Sequence, residues 1–346
     1  THGPEMFYGN ADDTRMLLNV GAKFIGRAIY YWGSEKKFGS GLWMKDAKAK
    51  VDAYHMQDPD AIFQAAVFEI VTTDVNQVAI PDWVFTAFGK TPQTRNFNFN
   101  LIKDENGTNA NYWGAGECVP DISREETQMW FYYQIVRYME VGCEAIHLGQ
   151  VKLISSMGDS SNGYAGYKKL IDLVRVAART KARRGIVLLD AHKNGGLVIN
   201  GTQYLDFISY PLRLKETSDH ANLGAAFEIN GSYYQDNIIK QTGNMPYLLE
   251  FDNFGQNSNP GTATSDHFVY GYDEITWFAK LDYTHGCVFL DYATEFLANN
   301  DPKGHIQMPG MRVIQFAPGV FRCNNKAAGY NDRFGYESKI KQLWSK

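Results

Sequence analysis

Cysteine is sparse and scattered. Cys118, Cys143, Cys287 and Cys323 form no CxxC pair in the 346-residue chain. That spacing argues against zinc-ribbon and thioredoxin readings and leaves room for at most two disulfides, which sequence alone does not pair. Cys143 and Cys287 adjoin predicted strands and read as buried thiols. No run of 18 apolar residues occurs, so no membrane-spanning helix is expected. Excess positive charge is also missing: the net charge is -4 and the pI about 6.1, which argues against an electrostatic nucleic-acid binder. Several catalytic signatures are absent. There is no GxSxG elbow, no GxxxxGK[ST] phosphate loop, no GxGxxG after a strand and no HExxH. An HxH pair, which a metal-dependent amidohydrolase-type barrel would carry on its first strand, is lacking too. No signal peptide is visible, and the chain starts at Thr-His-Gly without Met, so a removed leader and a secreted or periplasmic location are expected.

Aromatic residues are plentiful: 21 Tyr, 21 Phe and 7 Trp make up 14% of the chain. Such a surplus serves either a large aromatic core or rings at a pocket mouth that stack on sugar faces. Short apolar segments alternate with helical patterns. Strands are predicted at 23–29, 62–71, 145–151, 185–192, 204–210, 245–252, 286–292 and 311–316. Helices are predicted at 11–19, 45–56, 123–141, 164–183 and 271–281. A capping box of Ser123 and Glu126 opens the third helix, and Gly142 stops it. The basic cluster Lys181, Arg183 and Arg184 reads as a solvated helix end. Strands separated by helices imply parallel βαβ units, and eight of them imply a (β/α)8 TIM barrel. The expected organisation is one domain over 1–346 with long βα loop insertions, the longest at about 73–122. Asn-Gly-Thr/Ser sites at Asn106, Asn200 and Asn230 match the glycosylation acceptor, and Asn-Gly is equally ordinary turn chemistry.

Many of these strands end in polar residues: Glu69 in the second, Gln150 in the third, Asp190 and His192 in the fourth, Glu250 and Asp252 in the sixth. In a (β/α) barrel the carboxyl ends of the strands carry the active site. A carboxylate in an apolar barrel is costly without a partner or ligand, so the open mouth suits them, unless they pair with Arg27, Arg213 or Arg312. Paired carboxylates are what glycoside hydrolysis needs. Glu250 and Asp190 form the leading catalytic pair, with Glu69 as third candidate. Gln150, His192, Arg213, Asp252, Asp291, Trp32 and Tyr210 are the candidate substrate contacts. Arg213 would bind an acidic sugar or hold a carboxylate ionised. His147 reads as a core histidine. A divalent metal held by Asp190, His192, His147 and Glu250 is a weaker alternative, as is calcium in the loops at 104–107 or 10–13. No cofactor is expected, and the expected partner is a carbohydrate.

The segments Leu-Leu-Glu250-Phe-Asp252-Asn and Leu-Leu-Asp190-Ala-His192, with Gly-Tyr-Asp-Glu-Ile-Thr-Trp277-Phe, resemble the TIM-barrel glycoside hydrolase-like proteins of polysaccharide-degrading bacteria. The resemblance implies cleavage of O-glycosidic bonds in a polysaccharide or oligosaccharide. In one large clan of such barrels the acid is a Glu ending strand four and the nucleophile a Glu ending strand seven. Here strand four ends in Asp190, strand seven by this count in Asp291, and Glu250 lies on strand six. A noncatalytic barrel that binds glycans through an aromatic mouth is the alternative.

Overall fold

A computed structural model describes residues 12–227, 245–316, 319–324 and 335–345. The backbone packs as two compact units, one of residues 27–206 and one of residues 1–26 with 207–346. The main strands are β1 (Phe24–Tyr30), β2 (Ile62–Ala66), β3 (Ala145–His147), β4 (Leu188–Asp190), β5 (Ile208–Pro211), β6 (Tyr247–Glu250), β7 (Gly304–Gln307), β8 (Met311–Val313) and β9 (Val320–Arg322). The main helices are α1 (Asp12–Val20), α2 (Leu42–His55), α3 (Glu125–Val141), α4 (Ala165–Lys181), α5 (Glu274–Lys280), α6 (Tyr283–Asn300) and α7 (Glu337–Trp344).

In the 27–206 unit the sheet order is β1-β2-β3-β4. Strands β2, β3 and β4 are parallel, with Ala66, His147 and Asp190 in one row. Their neighbours are apolar and buried, as a sheet covered on both faces requires. Helix α4 presents Leu170, Ile171, Val174 and Ala177 to the interior, the helical spacing its sequence shows. Each large aliphatic side chain so buried contributes roughly 1.5–3 kcal/mol. Helix α3 packs against α4 and ends at Gly142, whose φ of +110° suits glycine. The stretch 73–122 is built rather than irregular. It holds short helices at Asp82–Ala87 and Phe99–Ile102, and its strands Ala110–Gly114 and Glu117–Cys118 form a small antiparallel sheet with Val71–Thr72 just before it. Asn200 and Gly201, both at positive φ, turn a hairpin between Val198–Ile199 and Thr202–Gln203, so here Asn-Gly serves as turn chemistry. Asn230 lies outside the described residues.

In the other unit β5, β6 and β7 are parallel, and Pro211, Glu250 and Gln307 align in the last row. Strands β8 and β9 form an antiparallel hairpin. Several expectations are corrected. The segment 286–292 is not a strand but lies inside α6. Asp282 caps that helix by accepting from His285 N at 2.9 Å, and Gly286, Phe289, Leu290, Ala293 and Leu297 form its buried face. The seventh parallel strand is instead Gly304–Gln307, a stretch that reads as loop. Its glycine is required because a Cβ there would come within 2.4 Å of the Tyr247 ring. The eighth strand exists in part, at Met311–Val313, but pairs antiparallel with β9. Among the described residues the pairing of these strands falls into two groups, β1-β2-β3-β4 and β5-β6-β7, and no closed ring is detected. The capping box also fails. Ser123 Oγ donates to Asp121 at 2.7 Å, while buried Glu126 accepts both guanidinium nitrogens of Arg95 at 2.7 and 2.8 Å. A buried, bidentate ion pair outcompetes a local cap. The cluster after α4 is not simply solvated. Arg183 and Arg184 both donate to Glu144, a buried carboxylate.

Candidate functional site

At the carboxyl end of the β1-β2-β3-β4 sheet, row alignment puts His147 and Asp190 on one face. Gln64, two residues before Ala66, shares it. Asp190 Oδ1 accepts from Gln64 Nε2 at 2.6 Å, and Oδ2 lies 2.8 Å from His147 Nδ1. Gln64 Oε1 in turn accepts from Arg27 N at 2.8 Å. All three side chains are buried, and Asp190 is 0% exposed. Asp190 is thus the hub of a buried polar network that orients His147. The His192 ring lies edge-on to His147 with centroids 4.7 Å apart, and His192 is half-buried.

Glu69 follows β2 and is also buried. Its carboxylate accepts from Gln150 Nε2 at 2.7 Å and from Gln150 N at 3.2 Å. Gly149, at φ +62°, makes the bend that brings Gln150 over this acid, and a Cβ there would fall 2.6 Å from Glu69 Oε2. Glu69 and Gln150 therefore meet, and the acid positions the loop after β3. Beside them stands a cluster of rings. Trp32 is 45% exposed and Tyr112 52%. Trp32 packs on Trp113 at 4.9 Å and on Phe68 at 5.5 Å, and Tyr112 packs on Trp113 at 4.7 Å. The Trp113 indole N–H donates to Glu69 O at 2.7 Å, tying the rings to the acid's backbone. Part of the aromatic surplus fills the core, as Trp130, Tyr138 and Tyr167 do, while Trp32 and Tyr112 face solvent.

At the carboxyl end of β5-β6-β7, Glu250 closes β6 and is 2% exposed. Asp252 accepts from Arg312 Nη2 at 2.6 Å, and the same nitrogen donates to Asn253 Oδ1 at 2.9 Å. The arginine-paired reading of Asp252 therefore holds. Arg213, two residues beyond β5 at φ +49°, places its guanidinium over Phe254, 4.3 Å from the centroid. Its backbone N and Nη1 both donate to Glu274 Oε1, at 3.2 and 3.3 Å. Burial pushes the Glu274 carboxyl up to about 8, the Asp252 charge adding to the rise and Arg213 opposing it. Asp273, the α5 cap, is raised to about 6, again by burial. Tyr210 is buried within β5. Asp291 does not end a strand. It lies on α6 and pairs with Lys339 at 2.5 Å, which removes the strand-end argument for it.

Sequence reasoning missed Gln64, Glu274 and the Trp113–Tyr112 pair. Gln64 was detectable as a polar residue in the apolar run Ile-Phe-Gln-Ala-Ala. Glu274 carried no signal, because an acid in a helix's first turn is ordinary.

No protein-family model matches the chain, and no curated protein matches it. Solved structures do. The native debranching enzyme of Nostoc punctiforme aligns with a TM-score of 0.50 at 10% identity, covering 98% of this chain and 70% of that one. The glycoside hydrolase domain of PelA from Pseudomonas aeruginosa, as a variant, aligns at TM-score 0.39 and 8% identity over 69% of this chain and 80% of that one. A GH27 β-L-arabinopyranosidase variant from Geobacillus stearothermophilus aligns at 0.35 and 13%, over 60% of this chain. This chain spans half of that enzyme's length. The neighbours are glycoside hydrolase structures, and the likeness is one of architecture, without a specific family. The fold is of a mixed helix–strand kind, and of these three only the Nostoc punctiforme structure reaches a TM-score of 0.50.

Proposed function

We propose that this protein is a glycoside hydrolase acting on a polysaccharide or oligosaccharide, on a (β/α)8-type barrel spanning 1–346. The observation that carries the reading is the placement of acids at or just beyond the carboxyl ends of parallel strands: Glu69 after β2, Asp190 on β4 and Glu250 on β6. The chemistry asks one carboxyl group to protonate the departing glycosidic oxygen and a second to attack the sugar or activate water. Glu250 and Asp190 are the proposed pair. Glu69 holds Gln150, which offers its remaining amide valence to a sugar hydroxyl. Trp32 and Tyr112 supply ring faces for stacking, the contact pyranose C–H faces favour. Arg213 and His192 complete the proposed polar contacts.

One specific observation favours a second reading, a noncatalytic glycan-binding protein: Asp190 is fully buried, with both oxygens engaged by Gln64 and His147. Incubation of the wild type and Asp190→Asn with a panel of plant and microbial polysaccharides, followed by chromatography of released oligosaccharides, separates the two. Release by the wild type, reduced in the variant, supports the enzyme. Retention on a polysaccharide gel without release supports the binding protein.

A further inference from the structure

A second site, outside the acids discussed so far, lies wholly within the unit of residues 1–26 and 207–346. Helix α1, the turn into β1, strands β6 and β7 and helix α7 line a partly open cavity of about 280 Å³. Leu17, Val20, Ala22, Ile25, Leu248 and Ile340 make its walls mainly apolar. Met16, Met308 and Cys323 add soft, polarisable surface, with Cys323 Sγ donating to Met16 Sδ at 3.3 Å. The exposed indole of Trp344 also lines it.

One polar side chain interrupts this surface. Gln307, the last residue of β7, lines the cavity and is 8% exposed. Neither its amide nitrogen nor its amide oxygen has a hydrogen-bond partner among the described residues. A buried amide left unpaired costs on the order of 1–3 kcal/mol, so a glutamine here is an expensive choice where leucine would pack as well. The amide offers donor and acceptor side by side, and a ligand that satisfies both at once must carry the complementary pair. A primary carboxamide or lactam does so. The size fits: a dry apolar cavity of roughly 150 Å³ takes benzene, and this one is nearly twice as large.

We propose that this cavity binds a small, mainly apolar molecule bearing a carboxamide or lactam group, held through paired hydrogen bonds to the Gln307 amide. The apolar walls supply affinity, and Gln307 supplies orientation and selectivity. None of the acids assigned to the glycosidase reading lines this cavity, although Gln307 is the row neighbour of Glu250.

The test uses benzamide and toluene as probes, titrated by ligand-observed NMR against the wild type, Gln307→Leu and Ala22→Phe. Benzamide is expected to bind the wild type about tenfold more tightly than toluene, equivalent to ~1.4 kcal/mol. Gln307→Leu should lose that preference while keeping toluene affinity. Ala22→Phe, which fills the cavity, should lose both probes. If Ala22→Phe fails to fold, shown by circular dichroism, Gln307→Leu alone decides. Absence of benzamide binding, benzamide binding unchanged by Gln307→Leu, or binding that survives a folded Ala22→Phe would each overturn the proposal. The second of these outcomes would mean that water alone satisfies the amide.

Discussion

Gly149 shows how much of the local geometry hangs on single residues. Its φ of +62° and the 2.6 Å approach of a notional Cβ to Glu69 Oε2 leave no room for a side chain. Gly149→Ala is expected to lower stability by about 2–4 kcal/mol, from the left-handed backbone and the forced displacement of Glu69, as measured by urea denaturation. Glu274 makes a different prediction. Its folded value of about 8 lies above the ordinary 4.5. The folded protein therefore holds a proton that the unfolded chain releases in this window, and stability falls as pH rises. The contribution is fully present below pH 4.5 and is lost by about pH 8. Asp273 acts in the same direction up to about 6. Glu274→Gln keeps an acceptor for Arg213 and removes the titration, so its melting temperature should decline less between pH 5 and 8 than that of the wild type. An identical decline would contradict the assignment. Neither Gly149's conformation nor Glu274's burial is readable from sequence, because each depends on a neighbour 80 or 61 positions away.

Elements were legible where a single periodicity dominated. Helix α4 is legible through the spacing of Leu170, Val174 and Ala177, and β4 and β6 through their unbroken apolar runs. The errors lie where two periods overlap. Cys287-Val288-Phe289-Leu290 reads as a buried strand in isolation, and only the wider spacing from Gly286 to Leu297 shows the helix. Strand β7 hides because Gly-His-Ile-Gln has little apolar content, and its pairing with β6 overrides weak propensity. Local capping rules failed at α3 because Glu126 is taken by Arg95. Helix α4, by contrast, starts on an unforeseen anchor: buried Asp159 accepts from Gly166 N at 2.6 Å and Tyr167 N at 3.3 Å. Asp159→Ala strands those amides and should cost about 1–3 kcal/mol. Loss of helical ellipticity at a lower denaturant midpoint, with Asp159→Asn intermediate, would confirm the anchor. No change would dismiss it.

On the scale of the whole chain, the sequence conveyed parallel strands alternating with helices and the strand-end acids, and the debranching enzyme of Nostoc punctiforme shares the overall fold at a TM-score of 0.50. The number and order of strands were less legible, since they rest on long-range pairing. The partners of two acids were hidden for the same reason, Gln64 and His147 for Asp190 and Gln150 for Glu69, whereas Arg312 for Asp252 was among the arginines the sequence offered. The central claim is that the chain hydrolyses glycosidic bonds with Glu250 as one of its carboxylates. It is tested most directly by the rate of oligosaccharide release from a responsive polysaccharide, compared between the wild type and Glu250→Gln. Loss of a positioned acid or base typically costs about 10²–10⁴-fold. A fall of that size, with polysaccharide retention preserved, is the expected result. Release that is unchanged in Glu250→Gln, or polysaccharide binding by the wild type without any release, would contradict the claim.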